Sequence, residues 1–193
     1  MFKFNKLAAT CAVVALASTA APAIAAPYTA PSVEGTATVR LYDAIELLKV
    51  TDIDFGTVIR DASYAGGSSI AMAADGSTDC ASVLGMSCTG ATSAGAFTIR
   101  GDSGSDMSVR LDSTDYNPVT NELTLNNAGN SASVVLNLSF AGMTQDAGLN
   151  TFSVSGTGSA TDITLYGSLD VPDSASAPNG VYSSTFDLTA DYK

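Results

Sequence analysis

The last fourteen residues, 180–193, show the clearest alternation of apolar and polar positions in the chain. From Tyr182 onward the even positions are apolar apart from Ser184, and the odd positions are polar or charged. Because successive side chains of a β-strand point to opposite faces, this pattern predicts a half-buried strand. Chain termini commonly fray, so a patterned strand at this place predicts that either its own domain or another chain holds it.

A second alternating stretch lies near the other end, after a proline-bearing lead-in that we assign to residues 26–33. β-Branched residues occur on both of its sides, as is typical of a strand. An ordinary first strand of the same domain fits the pattern. The apolar or small residues of one side are Val33, Gly35, Ala37, Val39 and Leu41.

Short strand patterns separated by turn residues fill the rest of the chain, with almost no helical periodicity. They predict an all-β fold, an antiparallel sandwich or barrel. Gly56, inside the strand pattern of residues 52–59, predicts a bulge or a close backbone approach. Residues 45–55 form a dense apolar run, and for residues 44–49 we favour a strand over a helical turn. The other segments are a strand at 69–73, a loop at 77–94, hairpins of 96–100 with 107–111 and of 122–126 with 133–140, a last pair at 151–155 and 162–171, and a loop at 172–179.

Residues 1–25 have the layout of a secretory signal peptide: a short basic region, an apolar run, and small residues at Ala23 and Ala25. The apolar run is shorter than the ~20 residues that a membrane span needs. We therefore expect export, no membrane insertion after cleavage, and a single domain over residues 34–193.

The charge of the chain is acidic, with a formal net value of −11. Removal of Lys3 and Lys6 with the signal peptide leaves six basic residues against nineteen acidic ones, a net charge near −13. Nucleic acid as a partner requires a basic surface, which this composition does not supply. The acidic residues are scattered and indicate a solvated surface.

Cys80 and Cys88 are the cysteines that remain after cleavage. In an oxidising compartment we expect them to form a disulfide that closes a small loop. A metal pair is the alternative, although the chain contains no histidine and no second cysteine pair.

Catalytic patterns are not found in the sequence, and we expect a protein that is not an enzyme and binds no cofactor or metal. Without histidine, Ser-His-Asp and Cys-His sites are impossible within the chain. Asp52 and Asp54 share one face of a strand pattern, which is typical of a solvent-facing edge rather than of a glycosidase cleft. The scattered Asp75, Asp79, Asp102 and Asp106 could in principle ligate calcium, but they form no EF-hand-like loop.

Three groups of motifs carry a resemblance to a known family: residues 54–58 (Asp-Phe-Gly-Thr-Val), residues 97–101 (Phe-Thr-Ile-Arg-Gly), and the glycines and aromatics of residues 165–192. In this order they resemble an exported bacterial family catalogued as a domain of unknown function. That family is in turn similar to spore-coat-U proteins and chaperone–usher pilins. The resemblance implies an immunoglobulin-like, pilin-like β-sandwich. The mid-chain cysteines depart from the common pilin pattern, in which the disulfide lies close to the first strand.

The C-terminal segment carries the most specific part of the resemblance. Gly180 is the fourteenth residue from the end and Tyr192 is the penultimate one, as in pilins. The resemblance implies that a periplasmic chaperone captures this strand and that a sister subunit contacts it later. It also implies that residues 33–41 are a donor strand. The expected contact residues are Gly180, Tyr182, Phe186, Leu188, Ala190 and Tyr192.

These observations predict a structural subunit of a bacterial fibre, pilus or coat. Such a subunit would pass through the periplasm of a Gram-negative bacterium to the cell surface. Strand addition between copies, with a chaperone and an usher as partners, would assemble it. The alternative is a self-contained secreted sandwich that binds a glycan, a protein or a calcium ion.

Overall fold

The computed structural model describes residues 38–147 and 149–193. The predicted signal peptide, residues 1–25, and the lead-in, residues 26–33, lie outside the described residues. Arg40–Lys193 form one compact unit, and Met1–Val39 form a second unit, of which only Thr38 and Val39 are described.

β-Strands make up nearly all of the regular structure in the described residues, together with one short 3-10 turn at Cys80–Ser82. None of the helices described is long and apolar enough to cross a membrane. The strands are β1 (Glu46–Thr51), β2 (Thr57–Arg60), β3 (Ser68–Met72), β4 (Met86–Thr89), β5 (Gly95–Arg100), β6 (Asp106–Asp112), β7 (Tyr116–Asn117), β8 (Glu122–Asn126), β9 (Ser133–Ala141), β10 (Thr144–Gln145), β11 (Thr151–Ser155), β12 (Thr161–Val171) and β13 (Asp187–Tyr192).

Three antiparallel sheets contain these strands. The largest has the order β1-β5-β12-β9-β8-β7, with β3 pairing the C-terminal half of β12, and the second has the order β10-β11-β6-β13. The third is the small sheet β2-β4. The order of each of the two larger sheets ends in two edge strands: β1 and β7 in the first, and β10 and β13 in the second. Among the described strands, β1 pairs only with β5, and β13 pairs only with β6.

Alternate side chains of the two larger sheets form the core. Ile99, Ile163 and Leu165 of the first sheet are completely buried, as are Val109 and Phe152 of the second. Phe140 of β9 lies against Phe152 of β11, with ring centroids 4.4 Å apart, so side chains of the two sheets meet directly. The predicted all-β, antiparallel sandwich arrangement is confirmed.

Local predictions were confirmed where the turn is short and the strands are neighbours. Residues 122–126 and 133–140 pair as β8 and β9, as expected of a hairpin. Gly56 adopts a left-handed φ of 66°. A β-carbon there would lie 2.8 Å from the carbonyl oxygen of Thr89, which is the predicted close backbone approach.

Several local predictions were wrong. The predicted strand of residues 52–59 is a strand only from Thr57 onward, after an isolated bridge between Asp54 and Ser93. Residues 96–100 and 107–111 are strands, but they do not form a hairpin, since β5 and β6 lie in different sheets. The same holds for β11 and β12. The loop predicted at residues 77–94 contains β4, which pairs with β2. Turn residues show that the chain reverses, but they do not show whether it stays in the same sheet.

The disulfide between Cys80 and Cys88 is present, with the two Cα atoms 5.9 Å apart, and it joins the 3-10 turn to β4. Arg60 of β2 links this small sheet to the loop before β13. Its guanidinium donates hydrogen bonds to the carbonyl oxygens of Pro172, at 2.9 Å, and Ala177, at 2.7 Å. The disulfide-bonded sheet is therefore attached to the segment that leads into the C-terminal strand.

Candidate functional site

The C-terminal strand β13 is an edge strand, and its backbone register decides which groups it presents. Lys193 N donates to Asp106 O at 3.0 Å, and the register continues as Tyr192 opposite Met107 and Leu188 opposite Leu111. Hydrogen bonds of an antiparallel pair alternate along the strand. The N–H and C=O groups of Leu188, Ala190 and Tyr192 therefore point away from β6.

These outward groups are unpaired in the structure as far as it is described. Within residues 38–147 and 149–193, the backbones of Leu188, Ala190 and Tyr192 form no hydrogen bond with another strand. A strand edge of this kind is a template for pairing with a further strand.

The side chains of the same residues point inward and are only partly buried. From residue 181 to residue 193, exposed and half-buried positions alternate without exception, as predicted. The strand itself begins only at Asp187, so it is shorter than the strand predicted from Tyr182 onward. Leu188 and Ala190 pack against the core but are not enclosed by it. Phe186, just before β13, lies with its ring centroid 6.2 Å from that of Phe97. This inner face is therefore partly exposed to solvent.

Tyr192 attaches the end of β13 to the segment that precedes β1. Its hydroxyl donates to the carbonyl oxygen of Asp43 at 2.9 Å and accepts from Asp102 N at 2.8 Å. Its ring stacks on Tyr42, with centroids 4.5 Å apart. The end of β13 therefore lies close to the start of β1, so the two edge strands approach each other at this point.

Lys193 attaches the last residue on the opposite, outer face. Its ammonium group forms an ion pair with Asp146 at 3.3 Å and a hydrogen bond with the hydroxyl of Ser153. The hydrogen bond from Ser153, followed by the contacts with Lys193 and Thr151, lowers the pKa of Asp146 below its ordinary value. The C-terminus is therefore held by its own domain, on both faces of the strand.

Gly180 lies against a buried polar side chain, that of Asn127. Asn127 is 6% exposed, and its Nδ2 has no hydrogen-bond partner within the described residues. A β-carbon on Gly180 would collide with this amide group. A side chain at position 180 would therefore force the buried Asn127 amide to move. Asn127 Oδ1 in turn accepts from Gly129 N at 2.8 Å.

The family of the chain follows from a match that has nearly the limits of this fold. A family model described as Domain of unknown function (DUF4402) matches residues 45–192, from just before β1 to the last residue of β13. The chain belongs to this family. No curated protein matches it.

The candidate donor residues lie outside or at the margin of the DUF4402 domain. Val33, Gly35 and Ala37 lie outside the described residues. Val39 and Leu41 are described, belong to no strand, and are 80% and 85% exposed. The DUF4402 match begins after all five of them, at residue 45.

A second edge strand of the DUF4402 domain is β1. Leu47 packs partly against the core, whereas Leu48 and Val50 are 52% and 61% exposed. An open depression of about 390 Å³ lies on the outer side of this strand, where Glu46 faces Arg100 across the β1–β5 pair. The outer side of this edge strand therefore carries exposed apolar residues.

Several titratable residues of the DUF4402 domain make local contacts. Asp52 forms an ion pair with Lys49 at 2.9 Å, and Asp54 accepts from Gly56 N at 2.7 Å. Both carboxylates are solvent-exposed, as predicted. Burial raises the pKa of Tyr116 to about 12. In the part of the chain that is described, no three Asp, Glu, Cys or His side chains are grouped as metal ligands.

Sequence reasoning identified the residues of β13 but not their partners. Asn127, Asp43 and Asp102 lie between predicted strands, where the alternation of residues indicates no contact. Gly180 contacts Asn127 across 53 positions of the chain. Tyr192 contacts Asp43 across 149 positions and Asp102 across 90 positions.

Proposed function

We propose that this protein is a non-enzymatic structural subunit of a bacterial surface fibre, pilus or coat. A strand from a neighbouring subunit adds to the free edge of β13. The observation that carries this proposal concerns Leu188, Ala190 and Tyr192. Their backbone groups point outward, and their side chains point inward and are half-buried. An added strand would satisfy the backbone groups and cover the apolar face in a single step.

The geometry of the two edges supports this proposal. Since Tyr192 places the end of β13 next to Asp43, an added strand would lie on the side of the sandwich where β1 ends the other sheet. Its inward side chains would alternate with outward ones. Residues 33–41 of a second copy have this alternation, with Gly35 and Ala37 as small residues for close approach.

The resemblance to pilins and spore-coat-U proteins extends the proposal to its setting. An immunoglobulin-like subunit with a signal peptide would be exported to the periplasm. There a chaperone would cover β13 until an usher exchanges it for the strand of the next subunit. The glycine and tyrosine of the terminal motif also have roles within this domain, as the contacts of Gly180 and Tyr192 show.

Proline substitution at position 190 tests the proposal on the edge itself. The N–H of Ala190 points away from β6, so Ala190→Pro removes a group offered to a partner while the bonds to β6 remain. Proline is tolerated on edge strands in this orientation. We expect the wild-type protein, after secretion, to form polymers that resist dissociation by detergent. The Ala190→Pro variant should remain a folded monomer.

Two control variants complete this experiment. Thr189→Pro removes an N–H that faces β6 and should unfold the strand, which checks the register. Deletion of residues 26–41 removes the proposed donor but leaves Tyr42 and Asp43 in place, so this variant should fold and not polymerise. Wild-type protein that remains a monomer, or an Ala190→Pro variant that polymerises equally well, would overturn the proposal.

A self-contained sandwich is the second candidate, and the anchoring of the C-terminus favours it. Tyr192 and Lys193 hold β13 within its own domain on both faces. Such a protein would bind a glycan, a protein or a calcium ion at the cell surface. A stable monomer whose unfolding is unchanged by deletion of residues 26–41 would support this candidate.

A further inference from the structure

The peptide bond between Asn179 and Gly180 lies in an exposed bend between the loop at residues 172–179 and the C-terminal segment. An asparagine followed by glycine is open to attack by the next backbone nitrogen on the side-chain carbonyl, because glycine has no β-carbon to obstruct the approach. The reaction requires that this nitrogen be available. Within the described residues, Gly180 N donates no hydrogen bond.

The side-chain carbonyl oxygen of Asn179 accepts a hydrogen bond from a cationic group. Arg60 donates to Asn179 Oδ1 at 3.2 Å, with the same guanidinium nitrogen that donates to Ala177 O. A positive charge on this oxygen draws electrons from the carbonyl carbon. It also stabilises the negative charge that develops on the oxygen when a nucleophile adds.

A matched asparagine elsewhere in the chain lacks these features. Asn130 is also exposed and is followed by a small residue, Ser131. However, Ser131 N donates to Asn127 O at 3.2 Å, and Asn130 Oδ1 accepts from Ala132 N at 3.0 Å. Its following nitrogen is therefore already engaged in a hydrogen bond.

We propose that Asn179–Gly180 is a site of spontaneous deamidation, which converts the amide facing Arg60 into a carboxylate. Gly180 N forms a bond with Asn179 Cγ, the Cγ–Nδ2 bond breaks, and ammonia leaves with the proton that Gly180 N loses. Water then opens the resulting succinimide at one of its two carbonyls and yields aspartate or isoaspartate. This inference does not depend on the proposed function.

The two products have different consequences. Aspartate would keep the contact with Arg60 and make it a charge-assisted hydrogen bond, which is stronger than the neutral one. Isoaspartate adds a methylene group to the main chain directly before Gly180. Since Gly180 is packed against Asn127, the longer backbone would disturb that contact and the start of the C-terminal segment.

Peptide mapping by mass spectrometry tests the site. Folded protein is incubated in mildly alkaline buffer, and samples are digested over time. We expect the peptide containing Asn179 to gain one mass unit several-fold faster than the peptide containing Asn130, with part of the product accepting a methyl group from isoaspartyl methyltransferase. The Asn179→Gln variant keeps an amide for Arg60 and should lose the reaction, since glutamine cyclises far more slowly.

Incubation in denaturant provides the reference for this experiment. There both asparagines have free neighbouring nitrogens, so the ratio of the two rates should fall to the intrinsic difference between a glycine and a serine neighbour. The proposal is supported if the ratio of the Asn179 rate to the Asn130 rate is larger in the folded protein than in denaturant. Folded protein in which Asn179 stays unmodified, or reacts no faster than Asn130, overturns it.

Discussion

The hydroxyl of Tyr192 lies between two backbone groups, accepting from Asp102 N at 2.8 Å and donating to Asp43 O at 2.9 Å. Asp102 follows β5, and Asp43 precedes β1. One side chain at the end of the chain therefore joins the last strand to two loops of the other sheet. This answers the question posed by the sequence, which was what holds the terminal strand.

Replacement of Tyr192 by phenylalanine removes this junction. We expect Tyr192→Phe to lower the free energy of unfolding by about 1–3 kcal/mol, because the N–H of Asp102 loses its partner in a partly buried position. Urea unfolding would measure the change. Tyr182→Phe is the control, since the Tyr182 hydroxyl donates to Pro178 O in an exposed turn. Equal losses in the two variants would contradict the role of Tyr192.

Gly180→Ala should destabilise the domain through its contact with Asn127. The added methyl group has no space beside the Asn127 amide, and overpacking of this kind costs about 1–3 kcal/mol. Asn127→Ala opens space and should relieve part of this cost, so a double-mutant cycle would give a favourable coupling energy. Additive losses in the cycle would show that Gly180 is required for another reason.

Leu188→Asn tests how far the inner face of β13 is buried in the isolated subunit. A polar side chain there loses apolar contact, and we expect a loss of about 1–3 kcal/mol. The same change at Thr189, on the exposed outer face, should have little effect. If Leu188→Asn leaves the melting temperature unchanged, the inner face is open to solvent in the monomer and is buried only by a partner.

The pKa of Asp146 predicts a pH dependence of stability. Its folded value lies below the ordinary 3.8, mainly because Ser153 donates to the carboxylate. A lowered folded pKa contributes stability that is present above the unfolded pKa and is lost as the pH falls through the folded value. Urea midpoints measured at falling pH should therefore decline less steeply in Asp146→Asn than in the wild type.

Ser153→Ala provides the matched variant for this measurement. It removes the largest cause of the lowered pKa of Asp146 and leaves Lys193 in place. Its urea midpoint should therefore decline with falling pH less steeply than that of the wild type and more steeply than that of Asp146→Asn. An Asp146→Asn variant that declines as steeply as the wild type would show that other carboxylates account for the acid sensitivity.

Residue patterns were sufficient for the elements whose burial follows from local alternation. The strand character of β9, β12 and β13 could be predicted because each alternates between core and solvent. The hairpin of β8 and β9 could be predicted because a short turn holds neighbouring strands together. The small strands β7 and β10 were missed, since two residues are too short to form a pattern.

Connections between the sheets could not be predicted in the same way. The turn between β5 and β6 contains glycines and polar residues like a hairpin turn, yet the chain crosses there from one sheet to the other. Whether two strands pair or face each other across the core depends on the other strands that compete for the same edge. That competition is decided by the assembly of the whole core.

Alternation along a strand is a local property, so the residue pattern was enough to predict an all-β domain with an amphipathic strand at its C-terminus. The position of this strand at an edge beside β6, with the backbones of Leu188, Ala190 and Tyr192 directed outward, became apparent only in the folded structure. The same is true of the contact between Gly180 and Asn127. Edges and close approaches depend on contacts between residues far apart in the chain, which only the folded core brings together.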